Sequence, residues 1–166
     1  MSQGLSVRPQ PGKVMSRIVA FAVALSGLCL CSPLRADDAE DKAVAFVEKI
    51  GGDVTRDEKA PGKPAITVNL SNTKVTDAGL KELAALKQLT TLNLGVTQVT
   101  DAGLKELAPL KQLTTLYLHD TDVTDAGLKE LTALKNLTTL HLGKTAVTDA
   151  GVKELQQALP NCQIER

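Results

Sequence analysis

A chain of 166 residues has room for one domain, and 43% apolar residues is ordinary for a globular protein. Only 2% of the residues are aromatic and none is tryptophan, so any core must be aliphatic and a stacking platform for bases or sugars is nearly excluded. Basic and acidic residues cancel at 19 each, but they are not evenly spread.

The first 36 residues predict a secretory signal. Arg8, Lys13 and Arg17 precede an apolar run from Ile18 to Cys31, and Ala36 offers a small residue for cleavage before Asp37. The run is broken by Ser26 and Gly27 and falls short of the roughly 20 apolar residues that span a bilayer, which disfavours a membrane anchor. Lipoprotein processing at Cys29 or Cys31 is disfavoured by the bulk of Leu28 and Leu30, and Met15 is an alternative start. The expected location is therefore secreted, periplasmic or cell envelope. Processing would remove four basic residues (Arg35 is the fourth) and no acid, leaving 15 basic against 19 acidic, a formal net of −4. Nucleic acid is then excluded as a partner, because binding phosphates needs a positive surface. Cys162 would be the one remaining cysteine, so no internal disulfide can form. A buried cap residue is expected there, with intermolecular pairing as the alternative.

Residues 37–64 read as an N-terminal cap. DDAEDKAVAFVEKIGG predicts a helix whose apolar side is Ala43, Ala45, Phe46, Val47 and Ile50, ended by Gly51 and Gly52. A strand at Asp53–Arg56, a turn through Lys59–Pro64 and a second strand at Ala65–Leu70 follow. A cap is what a stacked repeat needs over its first apolar edge.

Residues 65–166 form the second expected unit. VTDAGLKEL occupies Val75–Leu83, Val99–Leu107 and Val123–Leu131, and Val147–Leu155 differs from it only at Val152; each copy starts 24 residues after the last. Leu92 and Leu94 alternate as in a strand, whereas Leu104, Leu107 and Leu110 recur at helical spacing. Each unit is thus a strand turned into a helix. Thr100 or Asp101 can cap the helix start, as can Thr76 or Asp77, Thr124 or Asp125, and Thr148 or Asp149. Gly79, Gly103, Gly127 and Gly151 sit in the first helical turn at a cost of about 1 kcal/mol each relative to alanine, which predicts close contact between neighbouring units. Pro109 is expected to end its helix by disfavouring helical geometry at Ala108. Asp101 stands four residues before Lys105, a pairing that supports a helix by a few tenths of a kcal/mol on a solvated face.

From Leu89 the chain reads LTTLNLGVTQVTDAGLKELAPLKQ, with matching units from Leu113 and Leu137 and a half-matching one from Ala65. This resembles the leucine-rich repeat, L-x-x-L-x-L-x-x-N-x-L. The resemblance implies an α/β solenoid, a short horseshoe with parallel strands on its concave face and helices on its convex face, preceded by the helix-and-hairpin cap. The T-D-x-G-L start and the repeat length look most like the cysteine-containing and bacterial secreted subclasses. The family's usual asparagine is replaced by Thr73, Thr97, Thr121 and Thr145, which offer a hydroxyl in place of an amide.

In that family the concave strand face binds protein, and the variable positions of this chain fall there. One column reads Asn69, Asn93, Tyr117, His141, and the next reads Ser71, Gly95, His119, Gly143, with Asp120 beside it. Asn69, Asn93, Tyr117, His119, Asp120 and His141 are the candidate binding residues, with tyrosine the favoured interface anchor. A zinc site from His119, Asp120 and His141 is disfavoured, because neighbouring strands would hold such ligands only loosely. Ser71 has no histidine in its own or the next unit, so no activated nucleophile is expected. The expectation is a secreted module that binds a protein or peptide, without enzymatic activity, cofactor or metal, monomeric or weakly self-associating. The alternative is a structural envelope component acting by lateral self-association.

Overall fold

The computed structural model describes residues 36–166; the expected signal lies outside them but for Ala36, where the first helix starts. Helix α1 (Ala36–Lys49) leads into β1 (Asp53–Arg56) and β2 (Ala65–Asn69). The chain then alternates α2 (Asp77–Leu83), β3 (Thr91–Asn93), α3 (Asp101–Leu104), β4 (Thr115–Tyr117), α4 (Asp125–Leu131), β5 (Thr139–His141), α5 (Asp149–Ala158) and β6 (Gln163–Glu165). One six-stranded sheet holds the strands in chain order. β1 pairs antiparallel to β2, and every later pair is parallel at the repeat spacing, as in Leu92 beside Leu116 and Leu116 beside Leu140.

The shared interior is aliphatic, as the composition requires. Leu89, Leu92, Leu94, Val99, Leu104, Leu107 and Leu110, the apolar set of one unit, are all fully buried. Their counterparts in the next unit line up beside them in one continuous core. Such a unit has no interior of its own; its leucines are covered only because a neighbour lies on each side.

α1 closes the first edge with the expected face at all but one position, Phe46 and Ile50 also packing against the core. Val44 is buried with Ala43 and Val47, while Ala45 is exposed. At about 100° per residue, positions 43, 44 and 47 share a stripe that 45 cannot join. Gly51 adopts φ +86°, and the amide of Gly52 donates to Val47 O at 2.9 Å, closing the helix in a Schellman turn. Glu40 accepts from the amide of Ala65 at 2.6 Å, tying α1 to the start of the sheet.

Between units, aspartate has a different task from the expected one. Asp77, Asp101 and Asp125 each accept from the amide and the hydroxyl of the threonine that opens the next helix, Thr100, Thr124 and Thr148, at 2.6–2.8 Å. The two bonds from Thr148, hydroxyl first, hold the Asp125 carboxyl below the usual carboxylate range. Capping falls to threonine, as where Thr100 accepts from the amide of Ala102. Among the described residues no ion pair joins Asp101 to Lys105, because the aspartate is turned toward its neighbour. The recurrent glycines meet these carboxylates: a methyl group on Gly103, Gly127 or Gly151 would overlap Asp77, Asp101 or Asp125.

One further detail differs from expectation. Ala108, before Pro109, keeps right-handed helical angles (φ −53°, ψ −31°), like Ala84 and Thr132 at the same place in other units. α3 is nonetheless shorter than α2 and α4, and a 3-10 turn at Lys105–Leu107 completes it. The hydroxyls of Thr73, Thr97, Thr121 and Thr145 donate within their own unit, each to the carbonyl three residues earlier, at 2.6–2.7 Å.

That bend forces Asn72, Val96, Asp120 and Lys144 into left-handed geometry, φ 56–59°. Asparagine tolerates it; a β-branched valine does not. Val96 is 45% exposed, so the substitution gives up little packing. Val96→Asn is expected to stabilise the protein by about 1 kcal/mol, read as a rise of a few degrees in Tm. An unchanged melting curve would mean that the turn carries no strain.

Candidate functional site

Residues flanking the inward-facing apolar position of each strand point away from the core, so the pairing of β1 to β6 arranges them in two rows. One row runs Thr55, Thr67, Thr91, Thr115, Thr139, Gln163, and the other Asp53, Asn69, Asn93, Tyr117, His141, Glu165. At about 4.8 Å per strand each row spans roughly 24 Å.

Tyr117 and His141 stack with ring centroids 4.5 Å apart and planes 6° from parallel. Nδ1 of His141 lies 2.9 Å from Glu165 Oε2, and the other oxygen of Glu165 accepts from Gln163 at 3.1 Å. His119 lies over Gly95, where a methyl group would overlap its ring, so glycine in that unit is what admits the imidazole. Gly143 leaves space on the other side. The result is an open depression of about 360 Å³ lined by Tyr117, His119, His141, Gly143, Glu165 and Arg166.

Of the expected binding residues, Tyr117, His119 and His141 therefore meet in one place. Asn69 and Asn93 lie in the same row but outside the depression, and each turns its side-chain oxygen to its own strand end, accepting from the amides of Ser71 (3.1 Å) and Gly95 (3.0 Å). Their amide nitrogens have no partner among the described residues. Asp120 stands apart on the left-handed turn, 4.0 Å from Lys144 in a largely solvated pair. Glu165 and Arg166 were not anticipated; continuing the repeat spacing one unit past His141 leads to Glu165. Arg166 pairs with Asp149. Cys162, immediately before β6, is buried, and burial pushes its thiol up. Among the described residues, no three His, Cys, Asp or Glu side chains form a group that could hold a metal ion, and no helix is long and apolar enough to cross a membrane.

Stacked strand–helix units with one aliphatic interior and a polar strand face define a solenoid repeat protein. A family model described as Leucine Rich repeat matches residues 66–84, 87–108 and 133–155, and the chain carries leucine-rich repeats there. Nothing among the curated proteins matches significantly. Similar solved structures include an internalin C2 from Listeria monocytogenes, at 31% identity over 58% of this chain and 39% of that one, TM-score 0.49. A leucine-rich repeat protein from Leptospira interrogans is 28% identical over 52% of this chain and 21% of that one, TM-score 0.43. An internalin from Listeria monocytogenes is 26% identical over 60% and 34%, TM-score 0.42. The chain spans well under two thirds of the length of each. The leucine-rich repeat fold suggests a protein-interaction module.

Proposed function

We propose that the protein is a secreted module that holds a protein or peptide against the concave strand face, centred on Tyr117, His119 and His141, with Asn69, Asn93 and Asp120 at its margins. The single observation that carries the reading is that Tyr117, His119 and His141, three of the side chains that depart from the repeat, collect in one open depression, while the leucines of the repeated phrase lie in the core and its aspartates in the clamps. A tyrosine held flat against a neighbouring ring loses little freedom on binding, which suits an anchor. Its volume takes one or two side chains of a partner.

The test is affinity capture from envelope extract with residues 37–166 as bait, followed by titration of any partner identified. Tyr117→Ala is expected to weaken that partner roughly tenfold or more, and His119→Ala less, with unchanged circular dichroism. Full capture by Tyr117→Ala, together with lost self-association in sedimentation, would favour a structural envelope role instead.

A further inference from the structure

The two outward rows of the sheet contain no lysine or arginine. Their twelve positions hold five threonines, two asparagines, a glutamine, a tyrosine and a histidine, and the second row ends in a carboxylate on either side, Asp53 at β1 and Glu165 at β6. Both carboxylates are exposed. The nearest cations at the rim, Arg166 and Lys144, already face carboxylates of their own, Asp149 and Asp120. The lysines of the repeated phrase, such as Lys105 and Lys129, lie on the helices, on the other side of the molecule.

From this charge pattern we infer that the partner of the strand face is an extended basic peptide segment, with a lysine or arginine near each end. The inference rests on the concave-face reading and adds the partner's chemistry to it. The carboxylates lie roughly 24 Å apart across the sheet, the reach of about seven residues at 3.4 Å per residue. Between them, Asn69 and Asn93 offer amide N–H groups whose orientation is fixed because their oxygens are already bonded, so they meet peptide carbonyls. Tyr117 and His141 then flank the depression that receives one central side chain. An acidic peptide finds on this face no cation but Arg166, which already pairs with Asp149, and two repelling ends, which makes the surface selective as well as attractive.

The probe is a fluorescently labelled octapeptide with lysine at both ends and neutral polar residues between, measured by anisotropy against the chain 37–166. Glutamate-ended and serine-ended versions accompany it. The lysine-ended peptide is expected to bind most tightly and to lose affinity as salt rises. Asp53→Asn and Glu165→Gln should each weaken it about threefold to fivefold, the scale of an exposed ion pair, and Tyr117→Ala should weaken all three peptides together. Equal binding of the three peptides, still lost in Tyr117→Ala, would overturn the basic-partner inference and leave the concave-face reading intact. Lysine-ended binding that ignores Asp53→Asn, Glu165→Gln and Tyr117→Ala alike would overturn both, and binding of none of the peptides counts against the inference as stated.

Discussion

Leu116→Ala is expected to cost about 3 to 4 kcal/mol of unfolding free energy, close to the middle of the range for a fully buried leucine. Leu116 is the centre of β4, fully buried and paired in register with Leu92 on one side and Leu140 on the other. The cost depends on how far the surroundings can close over the missing methyl groups, and here they cannot close far. Each neighbour is held by its own parallel ladder at the spacing set by the sheet, so shrinking one unit would break register with two others. Val152→Ala, at a partly buried position of α5 in the last unit, serves as the control and should cost about 1 kcal/mol. Urea unfolding measures both through the midpoint and the slope. A loss below about 1.5 kcal/mol for Leu116→Ala would show that the stack relaxes freely, contrary to a rigid shared interior.

Gly127→Ala is expected to have the second largest effect, and its sign is opposite to the usual one. In an ordinary helix the change gains about 1 kcal/mol. Here the new methyl group overlaps Asp101 Oδ1 and stands 2.9 Å from Leu104 Cδ1. Asp101 must then leave the amide and hydroxyl of Thr124, two charge-assisted bonds at 2.8 and 2.7 Å. Losing them outweighs the gain in helix propensity, for a net loss of roughly 2 kcal/mol. The double mutant separates clash from lost bonds. Asp101→Ala alone should cost about 2 kcal/mol, and adding Gly127→Ala to it should cost little more, because the overlapping atom has gone. Additive losses in that cycle would refute the assignment of the glycine to the clamp.

Some of these features could be read from residue spacing and others could not. The strand at Asp53–Arg56, the strand–helix units, the aliphatic columns and the glycine contact all follow from local period and composition. Each depends on which way a side chain points within its own element. The buried face of α1 was legible in kind but not in detail, since Val44 and Ala45 are both small and apolar and only docking against β1 and α2 distinguishes them. Tyr117, His119 and His141 stood out as departures from a repeated phrase, and the parallel register brought them together. Asp53 and Glu165 did not stand out, because each lies on a strand at the edge of the repeat pattern.

The amino-acid sequence by itself determined the period, the aliphatic interior and the positions free to vary, because burial within a helix or strand obeys a rule of a few residues' range. Only the tertiary structure decided that Asp101 serves the following unit rather than its own helix, that His119 rests on Gly95, and that a carboxylate closes each end of the strand face. The first two bring together groups about one repeat apart, the third sets two carboxylates at opposite edges of the sheet, and all depend on how one coil sits on the next, a quantity no local pattern encodes.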